Sequence, residues 1–161
     1  MKSLLSWLVL IVSIAVLVSS CAKKDSSSSS TDNTTSSSAN PEVFVATGGN
    51  GDILRSTDNG SSFDNATSPT ANRLRGVTFG NYIFAAGGVS GNIVRSTDNG
   101  SSFDNVTSPT GKNLFGVTFG NDIFLGVGQS GNIVRSTDNG SSWDNATSPT
   151  GNAIYGVAFS E

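Results

Sequence analysis

The sequence has no histidine and a single cysteine, and both shortages narrow what the chain can do. Without His, the side chain that most often serves as a general base near neutral pH, and most often binds metals, is missing. With Cys21 alone, no disulfide can close within the chain. Charge is also sparse, Asp, Glu, Lys and Arg making up 13% of the residues. Between Pro41 and Glu161, ten acidic side chains stand against six basic ones. That surplus of negative charge argues against nucleic acid as a partner, because phosphate contacts need a basic face. Glu42 and Glu161 are the only glutamates. Beyond the N-terminus no segment carries apolar residues at helical spacing, and Gly and Thr are dense, which excludes helical repeats.

The one long apolar run is N-terminal. Lys2 gives a positive start, and Leu4 to Val18 is broken only by Ser6 and Ser13. This is the layout of a secretory signal helix, too short for a comfortable membrane span. It ends in Val18-Ser19-Ser20-Cys21, which resembles the bacterial lipobox of an aliphatic residue, two small residues and Cys. The resemblance implies cleavage before Cys21 and lipidation of its thiol, hence export and anchoring to a bacterial membrane. Ala22, in place of Asp, points to the outer membrane or cell surface under the enterobacterial sorting rule. Two or more lipid chains hold stably, and Lys23 and Lys24 add weak attraction to anionic headgroups.

Residues 1–20 are thus expected to be a signal peptide, residues 21–40 a lipidated Cys with a disordered linker, and residues 41–161 the folded part. The linker is rich in Ser and Thr and has no large apolar residue, so burial cannot offset its ordering entropy. About 16 flexible residues span roughly 20–24 Å.

The folded part is a repeat. Ser56-Thr57-Asp58-Asn59-Gly60-Ser61-Ser62-Phe63 recurs from Ser96 to Phe103 and from Ser136 to Trp143, a step of 40 residues each time. Ile53-Leu54-Arg55, Thr67-Ser68-Pro69-Thr70 and Gly76-Val77-Thr78-Phe79 recur with the same step. A period near 40 with short apolar runs predicts β-propeller-like blades of four antiparallel strands. In the middle copy the strands are expected at Arg75–Phe79, Tyr82–Ala86, Asn92–Thr97 and Ser102–Thr107. Turns at Gly80-Asn81, Gly87-Gly88 with Gly91, and Asp98-Asn99-Gly100 separate them.

The octapeptide resembles the Asp-box of sialidases and other propellers, with Ser56, Asp58, Gly60 and Phe63, then Ser96, Asp98, Gly100 and Phe103, then Ser136, Asp138, Gly140 and Trp143. Ser62, Ser102 and Ser142 replace the commoner Thr. The carboxylate can accept backbone N–H bonds across the turn, and Gly can take the left-handed conformation. The resemblance implies a structural role for these residues, away from any active site. At the level of the repeat the chain also resembles the photosystem II stability/assembly factor family.

Val43–Thr47 matches the second strand of a blade and Tyr155–Phe159 the first, so the C-terminal strand is expected to complete the first blade. Propellers typically have four to eight blades, and three is too few for a ring. Two copies forming a six-bladed C2 homodimer would close one; a shortened gene product is the other explanation.

Function is read against this architecture. A sialidase-like glycoside hydrolase fragment would need three arginines gripping one carboxylate. Arg55, Arg95 and Arg135 instead occupy one repeated position, and the Arg-Ile-Pro motif of that family is absent. Asp58-Asn59-Gly60 with Asp64-Asn65 does not match a calcium loop. Asn65-Ala66-Thr67 and its two copies are glycosylation-like triplets with no further meaning in a bacterial lipoprotein. No catalytic residue, metal or cofactor is expected. The reading is a membrane-tethered, non-enzymatic binding module whose partner is a glycan or an envelope protein, or an assembly scaffold. Aromatic stacking through Phe63, Phe103 and Trp143 would serve a glycan. The repeated polar loops Ser68–Arg73, Ser108–Asn113 and Ser148–Asn152 would serve multivalent binding. No ligand-binding residue is singled out.

Overall fold

A computed structural model describes residues 42–161; the signal segment, Cys21 and the linker lie outside the described residues. The described chain is all-β and propeller-like, built from three antiparallel sheets that follow chain order. The first holds β1 (Phe44–Thr47), β2 (Ile53–Ser56) and β3 (Asp64–Asn65). The second holds β4 (Leu74–Gly80), β5 (Ile83–Gly88), β6 (Ile93–Ser96) and β7 (Asp104–Val106). The third holds β8 (Leu114–Gly120), β9 (Ile123–Gly128), β10 (Ile133–Ser136) and β11 (Asp144–Ala146). One-turn 3-10 segments, Gly49–Gly51, Val89–Gly91 and Gln129–Gly131, link β1 to β2, β5 to β6 and β9 to β10.

The hairpins follow from local chemistry. Asn81-Tyr82 and Asn121-Asp122 take positive φ at both positions, 48° and 62° in the first and 47° and 59° in the second. That is the two-residue turn whose twist matches the flanking strands. The turn falls one residue later than expected, because Gly80 still pairs with Ile83. The register shifts between Leu74 and Gly76, and again between Leu114 and Gly116, so each inner strand carries a bulge at Arg75 or Phe115.

The cores lie between sheets. Ile53, Leu74, Phe84, Ala86, Val94 and Phe103 form the one between the first and second sheets. Ile83, Ile93, Leu114, Phe124, Val134 and Trp143 belong to the one between the second and third. All six residues of β5 are buried because its sheet is covered on both sides, which is why its strands are apolar on both faces. The inner strands β4 and β8 approach closely where Phe119 lies over Gly80, a place where a Cβ would overlap the ring.

One detail of closure differs from expectation. Tyr155–Phe159 does not complete the first sheet, which has three strands. The segment lies beside β8 instead. The Ile154 N–H donates to the Gly128 carbonyl at 2.9 Å, Tyr155 stacks on Phe115 with centroids 5.0 Å apart, and Phe159 covers Gly120 as Phe119 covers Gly80. The reason is connection length. The loop after β11 is the same length as those that deliver β4 and β8, so it delivers the segment to the next blade position.

Candidate functional site

The octapeptide turns have one geometry in three copies. In the second, the Ser96 hydroxyl donates to Asp98 Oδ1 at 2.8 Å and accepts the Gly100 N–H at 2.9 Å. Asp98 then accepts the Ser102 N–H at 3.0 Å and the Ser102 hydroxyl at 2.6 Å. Ser56, Asp58 and Ser62, and Ser136, Asp138 and Ser142, repeat the network. Gly60, Gly100 and Gly140 all take the left-handed conformation, φ 79°, 78° and 76°, which is why Gly stands there.

These bonds favour the carboxylate. The Ser62 hydroxyl, then Ser56 and the Ser62 N–H, hold Asp58 down at about 2. At Asp98 partial burial pulls upward, but the Ser102 hydroxyl and N–H with Ser96 outweigh it, leaving about 2. Asp138 is held at about 2 by the Ser142 hydroxyl, then the Ser142 N–H and Ser136. Each carboxylate is thus occupied in bracing its own turn, and Ser56, Ser96 and Ser136 are buried beneath it.

The aromatic at the end of each octapeptide is a packing residue where a sheet precedes it. Phe103 is 3% exposed and Trp143 6%, while Phe63, on the first sheet, is 43% exposed. The indole N–H of Trp143 donates back to the Gly140 carbonyl at 3.2 Å. Phe103 and Trp143 therefore present no open stacking surface for a sugar ring. The arginines do not converge either. Arg55 Nε donates to the Asn99 carbonyl at 2.8 Å, and Arg95 Nε to the Asn139 carbonyl at 2.6 Å. Each fastens one sheet to the octapeptide turn of the next. That role was not read from the sequence, although the fixed spacing of Arg before the octapeptide was its trace.

Antiparallel topology gives the stack two ends. Octapeptide turns and the two-residue hairpins share one, where the Asn81 amide donates to Asp122 Oδ1 at 2.9 Å and to Asn139 Oδ1 at 3.1 Å. The 3-10 segments and the loops 68–73, 108–113 and 148–152 share the other, where the Ser90 N–H donates to Asn113 Oδ1 at 2.9 Å. The loops are braced internally: Ser108 Oγ donates to the Thr110 carbonyl at 3.1 Å, and Thr110 Oγ1 accepts the Lys112 N–H at 3.1 Å. Between the second and third sheets this end opens into a cleft of about 380 Å³ whose lining includes Thr110, Lys112, Ser130, Asn132, Asn145 and Ser148. Asn132 Nδ2 is buried with no hydrogen-bond partner among the described residues.

The copies differ at this end. The octapeptides are identical except for Trp143. The loops read Ala71-Asn72-Arg73, Gly111-Lys112-Asn113 and Gly151-Asn152-Ala153, and the 3-10 segments begin Gly49-Asn50, Val89-Ser90 and Gln129-Ser130. The loop end is the candidate binding face.

The chain matches no family model and no curated protein. Solved structures do resemble it. YCF48 bound to D1 peptide aligns with a TM-score of 0.60 at 19% identity, over 71% of this chain and 39% of that one. A chain of a nidogen/laminin complex aligns with a TM-score of 0.53 at 11% identity, over 67% and 45%. The architecture is that of a β-propeller repeat. The chain spans less than half the length of either neighbour, and at these identities the likeness is one of fold.

Proposed function

We propose that the chain is an exported lipoprotein, fixed to a bacterial membrane through Cys21, that acts without catalysis as a binding module. Its working face is the loop end of the blades. The observation that carries this is the contrast between the two ends: invariant, self-bonded octapeptide turns on one, and divergent polar loops around an open cleft on the other. Lys112 and the unpaired Asn132 amide supply donors for backbone carbonyls or acidic groups of a partner. A protein partner is favoured over a glycan, because Phe103 and Trp143 are packed away. Two solved neighbours, one with a peptide and one in a complex with another protein, agree with a protein-binding or scaffold role. Two copies forming a six-bladed ring would present the loops as a repeated array.

The test uses the full chain extracted from its own membrane. Cys21→Ala should release the protein from the membrane fraction. Lys112→Ala and Asn132→Ala should lose the captured partner, while Asp122→Ala, at the opposite end, should keep it. Turnover of a fluorogenic sialoside by the wild-type chain would favour the hydrolase reading, and glycan-array binding lost in the loop variants would favour a glycan.

A further inference from the structure

The two outer faces of the three-sheet stack are both apolar, and the repeat makes them complementary. On the first sheet Phe44 is 49% exposed, whereas Phe84 and Phe124, its equivalents, are 6% and 0%. Leu54 and Phe63 are likewise exposed where Val94 and Phe103 are buried. On the third sheet Ile123 and Ile133 are only partly covered, and their equivalents Ile83 and Ile93 are buried. Terminal units of open repeat stacks carry polar caps. Neither face here does so.

Three further groups are left without the partner that their copies have. Arg55 and Arg95 each bond a carbonyl 44 residues on, and the equivalent acceptor for Arg135 is Asn59 of a following blade. Arg75 stands over the Phe115 ring at 5.2 Å and Phe115 stacks on Tyr155, whose own outer face is open. The first sheet lacks its inner strand, while Tyr155–Phe159 holds the position of an inner strand with no sheet beside it.

We infer that this chain pairs head to tail with a second copy by strand exchange, residues 154–160 of each copy becoming the inner strand of the other's first sheet. The inference deepens the ring reading given above and rests on it. The register follows from the pairing of β4 with β5: Val157 faces Ala46 of the second copy, Ala158 faces Val45 and Phe159 faces Phe44. Arg135 then bonds the Asn59 carbonyl across the interface, and Arg75 of the second copy covers Tyr155. Blades come in threes with each copy, and six is the only multiple of three within the usual four to eight. Ser160 is the one departure. It stands where Gly80 and Gly120 do, so its Cβ moves the Phe79 ring of the second copy aside.

The test is cysteine cross-linking of the full, detergent-extracted chain under mild oxidation, with native mass alongside. Paired residues of an antiparallel ladder lie within disulfide reach, and residues one step out of register point to opposite faces. Ala46→Cys with Val157→Cys should give covalent dimers. Ala46→Cys with Ala158→Cys should not, nor should the parent chain with Cys21 alone. Arg135→Ala, exposed in one copy, should keep its circular dichroism spectrum and weaken pairing by about tenfold. A two-chain mass with no in-register cross-link overturns strand exchange and leaves the ring. A single-chain mass, or an intrachain disulfide, overturns both and leaves the binding face to be judged by its own loop variants.

Discussion

Truncating the octapeptide aromatics should separate what one copy supplies from what a neighbour supplies. Phe103 is 3% exposed beneath the first sheet, and Phe63, at the same repeat position, is 43% exposed. A phenylalanine buries on the order of 200 Å². At about 25 cal/mol per Å² this gives an upper figure of about 5 kcal/mol for Phe103. Removal of a core phenylalanine typically costs about 3–5 kcal/mol, cavity included. Phe63 keeps a little over half of that burial within one copy and leaves no enclosed cavity, so its loss should cost about 2 kcal/mol. Urea unfolding followed by far-ultraviolet circular dichroism, at two protein concentrations tenfold apart, measures both. Phe103→Ala should lower stability by about 3–5 kcal/mol at either concentration. Phe63→Ala should act mainly through the concentration-dependent part, which mass action assigns to pairing. A Phe63→Ala loss equal to that of Phe103→Ala at every concentration would refute the reasoning, because Phe63 would then be covered within its own chain. So would a Phe103→Ala loss below about 1 kcal/mol.

Acid should unfold the repeat through its octapeptides. Asp58, Asp98 and Asp138 sit at about 2 in the fold against an ordinary 3.8. The stability that they lend is whole above about pH 4 and is lost as pH falls through 2; a melting temperature level from pH 5 to pH 2 would contradict this. Ser96→Ala should cost about 1–3 kcal/mol, since it leaves the buried Gly100 N–H unsatisfied, and Asp98 should titrate higher by NMR. Tyr82 holds φ 62° with its ring 78% exposed. Tyr82→Gly should therefore raise stability by about 1 kcal/mol in thermal unfolding, and a fall would show that the ring makes a contact of its own.

Fold class and strand order were legible because every strand recurs with its turn. Asp98-Asn99-Gly100 marks a turn wherever it stands, and the step of 40 residues makes one blade's assignment count for three. Arg55 was harder. Its acceptor is the backbone carbonyl of Asn99, 44 residues away, and a carbonyl leaves no residue type to recognise. Closure was misplaced for a related reason. Pattern matching identified Tyr155–Phe159 correctly as an inner strand, but a pattern carries no direction in space. The short loop from Thr147 to Ala153 determines which sheet the strand can reach. Loop residues were the least legible of all, since Lys112 and Asn132 become neighbours only when the second and third sheets pack.

The direction in which the chain enters the stack bears on how the binding face is used. Phe44 pairs with Ser56, at the foot of the octapeptide turn, and Thr47 pairs with Ile53, beside the 3-10 segment. β1 therefore starts at the octapeptide end and runs toward the loop end. Any tether preceding Phe44 joins the fold at the octapeptide end, where the three copies are identical and every Asp is engaged with its own turn. The end remote from the attachment carries Lys112, Asn132 and the loops that differ between copies. Invariance near the point of attachment and divergence away from it are what a displayed binding module requires. The architecture must repeat for the sheets to stack, and the loops are free to vary only where they do not brace the stack.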